Sequence, residues 1–216
     1  YPDHTFAHLD LPVQPTAADL RAAGAALWLT DTEVAVRVGR LATRRFVESA
    51  CAATVPTVPE TVVISGGTGA IGMAYVAFCA DHGARDIVLL SRSGASDAIA
   101  AQLDALRART GARITAIRCD ITDGAAVAAV IAQYRPGPAG LLVHTASAEA
   151  VAASQITADA VRDAFGAKVI GLDNLARHWP LDADARVLVC SSVLALWGGS
   201  GHGLYAAANR MADTLV

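Results

Sequence analysis

The stretch Ser65-Gly-Gly-Thr-Gly-Ala-Ile-Gly72 has residue types and spacing that suit a phosphate ligand. Gly66, Gly69 and Gly72 let a chain turn tightly and approach a pyrophosphate closely, and the N–H groups of a helix that starts there favour the negative charge. Thr68, Ala70 and Ile71 belong to the same cradle. Farther along, an apolar run ends in Ser91-Arg92-Ser93. A site for NAD places Asp or Glu at such a point, to bond the ribose 2′-OH. Here the acid is absent, and Arg92 offers a planar cation suited to a 2′-phosphate, so these residues point to NADPH. A second group lies near the end of the chain. Ser192 is followed thirteen residues later by Tyr205, and Asn209 stands four residues beyond, on the same face of a helix. Lys168 precedes them in Gly166-Ala-Lys-Val-Ile-Gly171. Taken singly, Lys168 reads as a solvated helix charge, Ser192 as a turn residue and Tyr205 as core.

The elements that must position these residues alternate. Thr61–Ser65, Asp86–Ser91, Ala112–Arg118, Gly140–His144 and Ala185–Cys190 read as short buried strands. Between and after them, Ile71–His82, Ser96–Thr110, Ala125–Tyr134, Ala158–His178 and Tyr205–Val216 read as helices. Such an alternation predicts an α/β fold of the Rossmann type, a doubly wound parallel sheet covered on both faces. The expected strand order is 3-2-1-4-5, with a ligand crevice between strands one and four, where the order reverses. Asp120 and Ile121 then follow strand three at the adenine end. Thr145 and Ala146 follow strand four beside the nicotinamide ribose. A complete fold of this type would continue past the last helix to another strand.

Composition shifts near Val55-Pro56-Thr57-Val58-Pro59, which reads as a linker. Before it, Ala17–Leu29 reads as a helix, and Glu33–Val38 with Leu41–Val47 as a β-hairpin. Residues 1–57 are therefore expected to be the remnant of a partial structural subdomain, and residues 58–216 a catalytic subdomain truncated at its end. The chain has 216 residues, 54% of them hydrophobic, and a net charge of -3. No stripe of Lys and Arg exists for nucleic acid, and no apolar run is long enough to span a bilayer. The start at Tyr1-Pro2-Asp3-His4 reads as internal to a longer protein. Cys51, Cys79, Cys119 and Cys190 are scattered and read as reduced core residues of a cytoplasmic protein. His4 and His8 could share a helix face, but no third metal ligand accompanies them, so no metal is expected.

From about Glu33 onward the chain resembles the ketoreductase domain of modular polyketide synthases, within the short-chain dehydrogenase/reductase superfamily. The resemblance rests on Gly66–Gly72, Leu89-Leu-Ser-Arg92, Cys119-Asp120, Ala167-Lys-Val169, Ser191-Ser192 and Tyr205-Ala-Ala-Ala-Asn209, in order and spacing. Ordinary short-chain dehydrogenases put Lys where Asn209 stands and draw Asn from the earlier helix. The exchange seen here resembles the polyketide family. It implies reduction of a β-ketoacyl chain carried by phosphopantetheine on an acyl carrier protein, beside other domains of the same synthase. Tyr205 would give the proton, its phenol brought down from a free pKa of about 10 by the neighbouring Lys168 cation. Lys168 and Tyr205 would also bond the nicotinamide ribose. Ser192 would hold the carbonyl oxygen, and Asn209 would anchor a water.

The chain departs from the family pattern at several positions. Ser93 stands where a second Arg often helps the 2′-phosphate, and Ser147 where Gly is usual. Ser147-Ala-Glu-Ala-Val151 lacks the Leu-Asp-Asp triplet of one stereochemical class. Trp197, eight residues before Tyr205, resembles the other class, which gives L-hydroxyls; His202 resembles its subset for epimerised α-branches. Two other functions compete: a fatty-acid-type β-ketoacyl reductase, and a redox-silent structural domain of a megasynthase. The remnant before the linker argues against the first, and the presence of Tyr205 and Ser192 against the second.

Overall fold

The computed structural model describes residues 7–30, 33–45, 47–50, 57–148 and 150–216. The chain divides into two compact units, residues 1–55 and 56–216. His4, Cys51 and the first two residues of the Val55–Pro59 linker lie outside the described residues.

In the first unit, β1 (His8–Asp10) pairs in parallel with β2 (Glu33–Arg37), and β2 pairs antiparallel with β3 (Arg40–Thr43). The expected hairpin is present. Val38 and Gly39, both at positive φ (52° and 67°), form the two-residue turn whose twist matches that of the strands. β3 ends at Thr43 rather than Val47. The strand β1 has too few residues to show a sequence period. Helix α1 (Ala17–Ala26) starts on a capping box between Thr16 and Asp19 and stops short of Leu29. Asp19 is buried and also accepts the Gly39 N–H at 2.6 Å, tying the helix start to the hairpin turn. These bonds hold its carboxyl below the ordinary carboxylate value, the Thr16 hydroxyl first and the Gly39 amide next.

The second unit is an α/β doubly wound parallel sheet. Its strands are β4 (Thr61–Ser65), β5 (Asp86–Ser91), β6 (Arg113–Arg118), β7 (Ala139–His144) and β8 (Leu181–Val189). They lie in the order β6-β5-β4-β7-β8, the order read from the sequence. Strand alternation sends Val62, Ile64, Ile87 and Leu89 to one face, against α2 (Ala70–Asp81) and α3 (Asp97–Thr110). Val63, Leu90 and Leu142 go to the other, against α4 (Gly124–Tyr134) and α6 (Gly171–His178). Each of these fully buried aliphatic side chains contributes about 1.5–3 kcal/mol of transfer free energy. Both faces must be covered, and near-continuous apolar strands are the result.

Three expectations need correction. The single helix expected over Ala158–His178 is α5 (Ala158–Phe165), a π-helical turn (Gly166–Ile170) and then α6. The glycines that bracket this turn pack closely against the loop after β6. A Cβ on Gly171 would lie 2.5 Å from the Ile121 Cδ1, and one on Gly166 3.3 Å from the Thr122 Cγ2. Strand β8 begins at Leu181, not Ala185, because its pairing with β7 is irregular between Ala139 and Leu141. The final helix, α8, runs Gly203–Ala212, preceded by a four-residue turn of helix, α7 (Leu194–Trp197). The remaining boundaries shift by a residue or two.

Candidate functional site

Between the carboxyl ends of β4 and β7 the glycine loop turns into α2. Gly66 sits at φ +68°, and a Cβ there would lie 2.7 Å from the Ala146 nitrogen. Gly66 N–H donates to Leu90 O at 2.8 Å, and Gly69, the N-cap of α2, donates to Gly66 O at 3.0 Å. A Cβ on Gly72 would run into the Gly66 carbonyl oxygen. The loop is thus built on glycine because backbone passes against backbone, and it leaves the first turn of α2 facing outward. Thr145 Oγ1 donates to Ser65 O at 2.8 Å, so β7 clamps the start of the loop.

Next to this loop lies a cleft of about 510 Å³. It is lined by Gly66, Thr68 and Gly69 of the loop, Ser91 and Arg92 at the end of β5, Asp120 and Ile121 after β6, and Thr145 and Ala146 after β7. Ala70 and Ile71 head α2 but do not line it. Arg92 is exposed at the end of β5 and makes no ion pair with any described residue. Asp120 Oδ1 accepts both the N–H and the hydroxyl of Thr122, which fixes the turn after β6. Sequence reading missed Arg162, Gly166 and Ala167, which also line the cleft. The paired glycines around Lys168 were the available signal, since they mark a helix that must approach a neighbour closely.

Lys168 and Tyr205 line a small adjoining recess, and Ser147 borders both cavities. Lys168 is only 4% exposed, which excludes a solvated helix charge. Its Nζ donates to the carbonyl oxygen of Cys190, just past β8. Burial pushes its ammonium below the ordinary lysine value, while Cys190 and Asp213 oppose the shift. Tyr205 is half-buried on α8. Asn209 is fully buried one turn on; its Nδ2 donates to Tyr205 O at 2.8 Å and its Oδ1 has no partner among the described residues. Ser192 is half-buried, accepts the Leu194 N–H at 3.2 Å, and lines neither cavity.

Beneath the site lies a polar pair. Ser65 and His144, register partners at the ends of β4 and β7, are both fully buried, and Ser65 Oγ and His144 Nδ1 are 2.6 Å apart. Burial pushes the imidazole down to about 4, the Lys168 cation adding to it and the carbonyls of Lys168 and Ala167 working the other way. His144 is therefore neutral near pH 7. The two residues read in sequence as strand ends, and only their pairing across the sheet shows the link.

Trp197 is 67% exposed on α7, so it is not a core residue. His202 is the N-cap of α8 and lines neither cavity. Of the segment Ser147–Val151, Glu149 lies outside the described residues. Among the described residues, no group of three or more His, Cys, Asp or Glu could hold a metal ion, and no helix is long and apolar enough to cross a membrane. Cys79, Cys119 and Cys190 are free thiols, the first two buried.

A family model described as the KR domain matches residues 60–216. The pikromycin polyketide synthase component PikAIII of Streptomyces venezuelae is 36% identical over 227 residues, which cover 100% of this chain and 14% of that protein. The mycoketide-CoA synthase of Mycobacterium tuberculosis is 41% identical over 163 residues, covering 72% and 4%. The ketoreductase from the first module of phoslactomycin biosynthesis in Streptomyces sp. HK803 superposes with a TM-score of 0.85 at 32% identity, covering 99% of this chain and 51% of that one. The chain spans a small part of these curated relatives and about half of the solved ketoreductase.

Proposed function

The chain belongs to the KR domain family, whose members in modular polyketide synthases are its relatives, and on that premise we propose that it reduces β-ketoacyl thioesters with NADPH. The observation that carries this reading is the buried Lys168 sharing a recess with Tyr205, beside a glycine-lined cleft that includes Arg92, which makes no ion pair with any described residue. The residues present fit a dinucleotide. Gly66, Thr68, Gly69 and the head of α2 would hold the pyrophosphate, Ser91 and Arg92 the phosphorylated ribose, and Asp120 with Ile121 the adenine. Thr145, Ala146 and Lys168 would hold the nicotinamide ribose. The bound cofactor supplies a hydride to the ketone carbon.

The chain supplies the proton and the field. Tyr205 gives its phenolic proton to the ketone oxygen, and Lys168 stabilises the phenolate left behind. Ser192 donates a hydrogen bond to the same oxygen as charge develops there, an interaction stronger in the transition state than in the bound substrate. The Asn209 Oδ1, lacking a partner among the described residues, is suited to hold a water that returns the proton. The substrate is a phosphopantetheine-tethered chain on an acyl carrier protein, within a synthase that carries other domains. Trp197 and His202, on and beside the turn before α8, orient it toward an L-hydroxyl. The test follows NADPH oxidation with a β-ketoacyl thioester in the full chain and in Tyr205→Phe. The variant should bind NADPH within about threefold of the parent yet lose at least about a hundredfold in turnover, the size of one acid–base contribution. Near-parental turnover would remove Tyr205 from the reaction.

A further inference from the structure

A ribose 2′-phosphate is a monoester with a charge near −1.5 to −2 at neutral pH, like other phosphate monoesters. At the end of β5 the chain offers it Arg92 and, next to it, the neutral Ser93. One guanidinium leaves about half that charge uncompensated. A second cation is nearby in space but not in sequence. Arg118 is the last residue of β6 and the register partner of Ser91 on β5. Its Nε donates to the carbonyl oxygen of Arg92 at 3.1 Å, and its Cβ lies 3.7 Å from where a Cβ on Gly94 would stand. Its side chain therefore lies along the turn that carries Arg92.

Eight arginines, among them Arg107, Arg109 and Arg113, are ion-paired with carboxylates. Arg92 and Arg118 make no ion pair with any described residue, although Asp120 is two positions from Arg118 in the chain. Arg21, Arg40, Arg135, Arg186 and Arg210 also make no ion pair with a described residue, and what sets Arg92 and Arg118 apart is that they adjoin each other at the carboxyl ends of β5 and β6. Asp120 Oδ1 is occupied by Thr122. Both arginines are exposed, so their guanidinium groups are open to a ligand. Two adjacent exposed cations that pair with no described carboxylate form an anion site, and a planar guanidinium suits a phosphate.

We propose that Arg118 is a specificity residue for the cofactor, holding the 2′-phosphate together with Arg92 and supplying the charge that Ser93 lacks. This rests on the reading that the cleft takes NADPH. The Nε bond to Arg92 O fixes the side chain and leaves its terminal nitrogens for the phosphate. Arg118 is bonded to the turn that carries Arg92, so its contribution falls on the 2′-phosphate and hence on the phosphorylated cofactor.

The experiment titrates NADPH and NADH into the full chain, and into Arg118→Gln, Arg118→Lys and Arg92→Ala, by cofactor fluorescence, with 2′,5′-ADP and 5′-AMP as competitors. Arg118→Gln should raise the NADPH Kd about tenfold or more, the size of one charge-assisted hydrogen bond, and move the NADH Kd less than about twofold. Arg118→Lys should recover part of the loss, and 2′,5′-ADP should lose its advantage over 5′-AMP in Arg118→Gln. An unchanged NADPH-to-NADH ratio in Arg118→Gln, with a reduced one in Arg92→Ala, overturns the proposal and leaves the NADPH reading intact. Equal losses for both cofactors in Arg118→Gln mean that the residue only braces the turn, and this too overturns it. No preference for NADPH in the parent overturns the reading itself.

Discussion

Replacing His144 by Asn should make the protein less sensitive to mild acid. His144 is fully buried at the end of β7 and bonded to Ser65 Oγ at 2.6 Å. Its imidazole is pushed from 6.5 down to about 4, first by burial and then by Lys168. The folded state therefore stays neutral at this site until about pH 4, whereas the unfolded state takes a proton below 6.5. In that window the unfolded chain binds more protons, so stability is full above 6.5 and is lost as pH falls toward 4. At about 1.4 kcal/mol per pH unit the whole window is worth at most about 3.5 kcal/mol. Between about pH 7 and pH 5 the loss is about 2 kcal/mol. Urea unfolding followed by tryptophan fluorescence at several pH values measures it. His144→Asn keeps a polar group against Ser65 and removes the titration. The variant should start less stable, since a ring is lost from a packed site, but its unfolding midpoint should fall less steeply with acid. Carboxylates such as Asp19 titrate alike in both proteins and cancel in the difference. Parallel pH profiles for parent and variant would show that His144 is not held neutral by the fold.

Two further outcomes follow from the site. Gly72→Ala should lower stability by about 1–3 kcal/mol, as overpacking does, and weaken NADPH binding at least about tenfold, because its Cβ would displace the Gly66 carbonyl; a thermal melt and a cofactor titration like the parent's would refute this. Reduction of a β-ketoacyl thioester should give mainly the L-hydroxyl product on chiral chromatography, a preference needing only about 2–3 kcal/mol between two poses; a mainly D product would show that Trp197 does not steer the substrate.

Legibility in the sequence followed locality. The glycine loop, the apolar strands and the Arg92 turn each carry their signal within a few adjacent residues, so the five-strand order and the cleft at β4 and β7 could be read. The helix carrying Lys168 was read as continuous. Its π-helical turn is bracketed by glycines that approach Ile121 and Thr122, which lie far away in the chain. The strand β8 was placed late because Asp182 and Asp184 mask its start, and only pairing with β7 reveals it. In the first unit Asp19 stands in the first turn of α1, and only the fold shows that it fastens the helix to the Val38-Gly39 turn.

The sequence by itself determined the residue types on offer: a glycine-rich loop suited to a pyrophosphate, a cation in place of an acid at the end of β5, and a serine, tyrosine, lysine and asparagine at a recognisable spacing. Those features are fixed by residue type and short-range geometry. Tertiary structure decided which groups meet. It buried Lys168 and gave it the Cys190 carbonyl, paired Ser65 with His144 under the loop, and laid Arg118 along the turn of Arg92. A parallel sheet joins strands that are distant in the chain, and at its carboxyl edge side chains from different strands become neighbours. No local pattern encodes those neighbours, because each depends on the register between strands, which packing of both faces sets.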